Sequence, residues 1–196
     1  GSISARSASL NNTAQAIIGT TNSFFKGSID EPKVYNFALS AAKIKANYAS
    51  RSTNEGVSAQ IGNPNLWKSL SEGLVGYWKM DESSGNAADS SGNGLTLTNN
   101  ATTTFVGGKF GNGSEHVPAS SQYLSTATTI SGIKTVSFWV NPDSTTNYYA
   151  SLTSGAYITS SSGTISATGF TSPTIYVNGV STTTIAADAW SLVTVV

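Results

Sequence analysis

The stretch that decides the fold reads TIYVNGVS over residues 174–181. Its β-branched and aromatic residues flank Asn178-Gly179, a pair that supplies the two positive φ angles of a type I′ turn. Such a pair between two apolar segments predicts a β-hairpin whose strands are residues 174–177 and 180–185. The two-residue turn also fixes which residues of the two strands face each other.

Other segments repeat this two-residue period. Residues 135–140 alternate hydroxyl and apolar side chains and end at Asn141-Pro142-Asp143, a turn signal. Further short strands are predicted at residues 29–35, 74–80, 95–98, 123–125 and 190–196. Short strands separated by Gly, Asn and Ser turns are typical of an antiparallel β-sandwich or jelly roll. We therefore expect an all-β fold.

One short helix is predicted within this β-rich chain, near residues 41–48. Ser40 can cap its N-terminus, and Leu39 can pack on Ile44 as a hydrophobic staple. Ile44 and Tyr48 then share one helix face. Residues 50–72 contain turn-forming Gly, Asn and Pro but little periodicity, so we expect a linker that Trp67 and Leu70 dock to the body.

The composition excludes several classes of protein. Charged residues make up 10% of the chain and cancel to a net charge of zero, which argues against nucleic-acid binding and against a basic membrane-surface helix. The chain lacks Cys, so it has no disulfide and no thiolate zinc site. No apolar run reaches the roughly 20 residues that span a bilayer, and no secretory signal is present. The Ser/Thr/Asn-rich composition favours a bacterial cell-surface or secreted protein.

Several ordered motifs resemble one family. Residues 73–82 and 89–94 are similar to the opening of a bacterial laminin-G-like domain of the concanavalin A-like lectin/glucanase superfamily. Residues 107–111, 136–140 and 176–190 continue the pattern in order, whereas residues 25–31 and 34–48 resemble the family's ending. The resemblance implies a concanavalin A-like jelly roll.

The order of these motifs departs from the family, because the ending comes first. Residues 3–50 correspond to the closing part, residues 50–72 to a linker, and residues 73–196 to the opening and middle parts of a single domain. Two arrangements are open. The chain closes on itself as a circular permutant, or it self-associates through complementary strands, each copy completing the next. We favour the closed monomer because intramolecular pairing has the higher effective concentration.

Hydrolysis is the first activity to test, since some members of the superfamily are glucanases. Retaining glycosidases hold two carboxyls about 5–5.5 Å apart. The acidic pairs here, Asp30-Glu31 and Asp81-Glu82, are adjacent in sequence, so on a strand they point to opposite faces. The single histidine, His116, has no nucleophile-elbow motif with it and is interpreted as a surface or strand-edge residue. We expect a non-catalytic protein.

Calcium is the ion that the resemblance implies, as a structural cofactor bound by oxygen ligands on loops. The candidate ligands are Asp81, Asp89 and Asn93 of the opening motifs and Asp30 of the closing motif. The alternative is structural: Asp89 forms an Asx-turn over the residues that follow it, and Asp30 bonds backbone or lysine. The sequence lacks an EF-hand-like ligand string, which favours the alternative.

Exposed aromatics that stack on sugar rings are the other candidate site. Tyr148, Tyr149 and Tyr157 lie in Asn/Ser/Thr-rich surroundings, although aromatics in a sandwich are more often core residues. The sequence thus predicts an extracellular module with a structural or adhesive role on a bacterial cell surface or in a surface assembly. The alternative is a calcium-supported carbohydrate-binding module. The expected partner is a glycan or a surface protein, without membrane insertion.

Overall fold

The structure, a computed structural model, describes residues 15–19, 25–52, 71–117, 121–153 and 155–196. These residues form two antiparallel sheets and one helix, which confirms the predicted all-β sandwich. The strands are β1 (Gln15–Ile18), β2 (Gly27–Tyr35), β3 (Leu74–Tyr77), β4 (Leu97–Asn100), β5 (Thr104–Gly107), β6 (Asn112–His116), β7 (Tyr123–Thr129), β8 (Thr135–Pro142), β9 (Asn147–Thr153), β10 (Ala156–Ser161), β11 (Thr164–Thr168), β12 (Ile175–Val177), β13 (Val180–Ser181) and β14 (Ser191–Val195). The helix α1 (Ala41–Ser52) lies between β2 and β3 in the chain.

Two sheets of different size enclose the main core. The six-stranded sheet has the order β11-β10-β9-β1-β7-β4, and the eight-stranded sheet has the order β13-β12-β14-β8-β2-β6-β5, with β3 paired to β2. Alternate residues of the strands point inward, as the two-residue period predicts. The largest fully buried side chains of this core are Phe25, Ile29, Trp78, Met80, Leu97, Leu124, Ile133, Phe138, Tyr149 and Leu152.

The strands β1 and β2 hold central positions in the two sheets. β1 lies between β9 and β7, and β2 lies between β8 and β6. β1 and β2 thus pair with strands that lie between residues 74 and 153 of the same chain. Residues 3–14 of the predicted closing part lie outside the described residues, as do Trp67 and Leu70 of the predicted linker.

The helix begins as its capping sequence predicts. Lys43 N donates to Ser40 Oγ at 3.3 Å, and Ile44 N donates to the Ser40 carbonyl at 3.0 Å. Leu39 and Ile44 are both buried in a small second core with Tyr35, on the side of the eight-stranded sheet away from the main core. The staple is thus confirmed, and the helix extends to Ser52 instead of ending near residue 48.

The predicted hairpin is confirmed, but its second strand is shorter. Asn178 and Gly179 have φ angles of +53° and +77°, and Val177 pairs with Val180. β13 ends at Ser181, because the chain then crosses to the other sheet, where Thr184 bridges Thr164. The second strand of the hairpin is therefore shorter than the predicted 180–185, because residues after Ser181 contact β11 of the other sheet.

The other predicted strands are found with shifted ends. β8 runs to Pro142, and so includes Asn141 and Pro142 of the predicted turn signal; Asp143 begins the bends at 143–146. β7 continues to Thr129, four residues beyond its predicted end, and β4 begins at Leu97. The strands β5, β6 and β9 to β11 were not predicted, since their polar residues and Gly weaken the apolar alternation. β1 was not predicted because its four residues show no alternation.

Candidate functional site

Two of the three predicted tyrosines form a pair on the outer face of the six-stranded sheet. Tyr148 lies on β9 and Tyr157 on β10, and both are half-buried. Because Tyr148 pairs with Thr159, the two tyrosines are diagonal neighbours across the strands. Their ring centroids are 5.7 Å apart with an interplanar angle of 37°. They therefore form one aromatic surface.

Hydroxyl groups surround this aromatic surface. Tyr157 faces Ser151 on one side and Thr168 on the other. Thr159 Oγ1 and Ser166 Oγ share a hydrogen bond of 2.9 Å. An amphipathic ring surface with hydroxyl donors and acceptors around it has the chemistry that recognises a pyranose.

The third tyrosine requires a correction. Tyr149 is fully buried, and its hydroxyl bonds Ser160 Oγ at 2.7 Å. Its ring packs on Phe25 and Phe138 inside the main core. Since neighbouring residues of a strand point to opposite faces, Tyr148 and Tyr149 could not both lie outside. Tyr149 is therefore a core residue and not a ligand-binding one.

The predicted metal ligand Asp89 makes four hydrogen bonds to its own chain. Its Oδ1 accepts from the N–H groups of Tyr77 (3.1 Å) and Ser91 (2.8 Å), and its Oδ2 accepts from Ser91 Oγ (2.8 Å) and Leu95 N (3.0 Å). Burial acts to raise the pKa of Asp89, but hydrogen bonds from Leu95, Ser91 and Tyr77 outweigh it, and the pKa is lowered. Asp89 thus forms the predicted Asx-turn with Ser91, and its hydrogen bonds from Tyr77 and Leu95 hold the rest of the loop in place.

Asn93 completes the same loop. Its Nδ2 donates to the carbonyls of Val75 (2.9 Å) and Leu74 (3.3 Å) and to Ser91 Oγ (3.2 Å). Asp89 and Asn93 together attach residues 89–95 to strand β3. Both carboxylate oxygens of Asp89 and Nδ2 of Asn93 are engaged in this attachment, which favours the structural alternative for Asp89.

Asp30 and Asp81, the other two candidates, meet at the turn between β5 and β6. Asp30 Oδ2 accepts from Phe110 N at 2.8 Å, and Asp81 Oδ1 accepts from Asn112 N at 3.1 Å. A Cβ on Gly111 would lie 2.0 Å from Asp81 Oδ1, so this position requires glycine. The structure thus brings these two predicted residues together.

Asp30 is an unusual carboxylate. It is fully buried, and its Oδ1 has no hydrogen-bond partner among the described residues. Burial raises the pKa of Asp30 to about 7, the Phe110 N–H opposes this, and the charges of Glu31 and Asp81 add to the rise. Within the part of the chain that the structure describes, no group of three or more His, Asp or Glu side chains is placed to hold a metal ion.

The expectation that Asp30 and Glu31 point to opposite faces is wrong. A β-bulge between Asp30 and Lys33 adds one residue to β2, and Glu31 has a φ of +54°. Glu31 consequently reaches Lys33 and Tyr77, on the face that α1 covers. Both carboxylates are nevertheless buried, so neither is accessible to a polysaccharide.

A polar cluster beneath α1 was missed by the sequence analysis. It consists of Glu31 and Lys33 on β2, Asn47 on α1 and Tyr77 on β3. Lys33 Nζ lies 3.6 Å from Glu31 Oε2 and 3.4 Å from Asn47 Oδ1. The available signal was the presence of three charged residues, Asp30, Glu31 and Lys33, inside one predicted strand.

The interpretation of His116 as a surface or strand-edge residue is also wrong. β6 lies between β2 and β5, and His116 is buried against the Phe25 ring. Its Nε2 contacts Ser114 Oγ at 3.1 Å and its Nδ1 contacts the Gln122 carbonyl at 3.3 Å. Burial lowers the pKa of His116 to about 4, so the ring stays neutral in the core.

Comparisons with protein-family models, with curated protein sequences and with solved structures return no significant match to this chain. Among the described residues, no helix combines the length and the apolar character that crossing a membrane requires. The side chains and their geometry are therefore the basis for assigning a function.

Proposed function

We propose that the chain is a non-catalytic β-sandwich module with a structural or adhesive role in an extracellular or cell-surface assembly. The observation that carries this proposal is that several carboxylate side chains of the protein bind groups of the protein itself. Asp89 and Asp30 bind backbone N–H groups of neighbouring loops, and Glu31 is buried between Tyr77 and Lys33. A glycosidase needs two carboxyls that a sugar ring can reach. These three carboxylates are engaged with groups of the protein itself, and a sugar ring cannot reach the buried Asp30 and Glu31.

The surface chemistry supports an extracellular location. A low-charge, Cys-free chain rich in hydroxyl side chains depends on neither a reducing compartment nor an electrostatic partner. The core between the two sheets supplies the stability of the body.

A polysaccharide panel tests the absence of catalysis. The purified protein is incubated with plant and bacterial polysaccharides, and released reducing ends are measured. We expect no release above the buffer control. Release above that control which rises in proportion to the concentration of the folded protein would contradict the proposal.

Carbohydrate binding is the second candidate function, and the Tyr148–Tyr157 surface favours it. Two half-buried rings at diagonal positions present a fixed apolar platform. The flanking hydroxyls of Ser151, Thr159 and Thr168 can exchange hydrogen bonds with sugar hydroxyls. An adhesive module that contacts a surface glycan would use this face of the six-stranded sheet.

A glycan array, read with calcium and with EDTA, tests this candidate. Binding should saturate, and Tyr148→Ala or Tyr157→Ala should each weaken it about tenfold, since stacking on one ring contributes about 1.5 kcal/mol. The matched control is Tyr48→Ala, a half-buried tyrosine of α1 next to the other sheet. Equal losses in all three variants, or binding that none of them changes, would exclude the tyrosine surface.

A further inference from the structure

Lys33, Asn47 and Glu31 bring an amine, a carboxamide and a carboxylate together inside the protein. Lys33 Nζ lies 3.4 Å from Asn47 Oδ1 and 3.6 Å from Glu31 Oε2. The exposed fraction of Asn47 is 5%, and the side chains of Lys33 and Glu31 are 12% and 4% exposed. Long charged side chains are seldom buried to this degree, so their grouping around one carboxamide needs an explanation.

The surrounding elements hold these three groups in place. Tyr77 donates its hydroxyl hydrogen to Glu31 Oε2, and Lys33 Nζ lies 4.8 Å from the centre of the Tyr77 ring. The bulge in β2 places Glu31 and Lys33 on the side of α1, which carries Asn47. The amine therefore approaches the carboxamide from a direction that strand, bulge and helix all fix.

We propose that Lys33 and Asn47 form an intramolecular amide bond, and that Glu31 moves the protons of the reaction. The bond would join the centre of the eight-stranded sheet covalently to α1. This chemistry does not depend on whether the module binds a glycan. Its substrate is the protein's own side chains, and its product is released ammonia.

The reaction balances without an oxidant or a further reactant. The Lys33 ammonium transfers one proton to Glu31, and the neutral Nζ then attacks Cγ of Asn47. A new Nζ–Cγ bond forms, the Cγ–Nδ2 bond breaks, and Glu31 passes the proton to the leaving Nδ2. The second Nζ proton follows the same route, so the products are a secondary amide, the regenerated Glu31 carboxylate and one ammonium ion, and the chain has lost the mass of one ammonia molecule.

Burial favours each part of this reaction. Proton transfer from Lys33 to Glu31 replaces two buried charges by two neutral groups, which lowers their desolvation cost. The reaction requires the Asn47 carboxamide to rotate, so that Cγ, the atom bonded to Oδ1, comes within the near-attack range of about 3–3.5 Å from Nζ. Limited exposure also keeps water from competing for Cγ.

The mass of the intact folded protein tests the proposal directly. We expect the purified wild-type chain to be lighter than its sequence mass by one ammonia molecule. A chain at its full sequence mass after prolonged incubation in the folded state would overturn the proposal. This measurement needs no variant, so it does not depend on how a variant folds.

Peptide mapping distinguishes the Lys33–Asn47 bond from succinimide formation, a different reaction that also releases ammonia. The three Asn-Gly pairs at 93–94, 112–113 and 178–179 can form succinimides, which lose the same mass. After trypsin digestion, the cross-link predicts residues 27–43 attached to residues 46–51, with no cleavage after Lys33. A mass loss that maps to an Asn-Gly pair instead would refute the bond.

Three variants assign the roles of the side chains. Lys33→Arg and Asn47→Ala should restore the full mass, whereas Lys45→Arg, an exposed lysine of the same helix, should leave the cross-link intact. Glu31→Gln should slow its formation at least tenfold, and an unchanged rate would remove Glu31 from the proposal. Loss of the bond should lower the Tm by about 6–12 °C, since it closes a loop of roughly 15 residues.

Discussion

Replacing Asp30 by asparagine should make the protein more stable at high pH. Asp30 is fully buried, and its pKa rises from 3.8 to about 7 in the folded protein. Between these two pH values the folded state keeps a proton that the unfolded state has released. The stability that this proton contributes is complete below pH 3.8 and is lost as the pH rises to about 7. The carboxamide of the variant is neutral at every pH, and its oxygen can still accept from Phe110 N.

The magnitude follows from the shift in pKa. One pKa unit corresponds to about 1.4 kcal/mol, so the wild type should lose about 3 kcal/mol relative to Asp30→Asn between pH 4.5 and pH 8.5. For a chain of this length that difference is a shift in relative Tm of about 6–12 °C. The test uses the change with pH in the stability difference between Asp30→Asn and the wild type, because the substitution also has a pH-independent effect on stability.

Urea unfolding at both pH values, in EDTA, measures this change. The control is Asp188→Asn, which makes the same substitution at an exposed position. If the stability difference between Asp30→Asn and the wild type does not change with pH, burial does not raise the pKa of Asp30 as described.

The same measurement in millimolar calcium tests the predicted cofactor. Calcium bound by Asp30 and Asp81 would stabilise the wild type by mass action and would favour the ionised carboxylate. The advantage of Asp30→Asn at pH 8.5 should then disappear. An identical advantage in calcium and in EDTA would exclude these residues as a calcium site.

Three further predictions concern the fold. Gly179→Val should lower the Tm by about 4–10 °C, because the φ angle of Gly179 is +77° and a Cβ there would lie 3.3 Å from Lys45 Cα. Gly92→Val, also at positive φ but in open space, should lower the Tm by less. Asp89→Ala should cost about 2–4 kcal/mol of unfolding free energy in urea, since it leaves N–H donors of the loop without their acceptor; a loss below about 0.5 kcal/mol would contradict the assigned role. The full chain should have the native mass of a monomer, and a chain without residues 1–30 should unfold because β1 and part of β2 are lost from the sheet centres. If the truncated chain is rescued by the full chain in a stoichiometric complex, the copies exchange strands.

The sequence alone determined the features that depend on neighbouring residues. Asn178-Gly179 predicted the turn and its register because only a few residues adopt two successive positive φ angles without cost. Ser40 and Leu39 predicted the start of α1 because the cap and the staple act within one helical turn. The alternation at residues 135–140 predicted β8, since inward and outward positions alternate along a strand.

Only the tertiary structure decided which candidate residues come together. Tyr148 and Tyr149 are adjacent in sequence, yet one lies on a surface and the other in the core, because burial depends on the sheet that packs against β9. The bulge in β2 reversed the expected direction of Glu31, and only packing of α1 on the sheet brought Asn47 to Lys33. These contacts join segments distant in sequence, so local pattern carries no information about them. Their physical basis is strand pairing and burial, which exist only once the two sheets have closed.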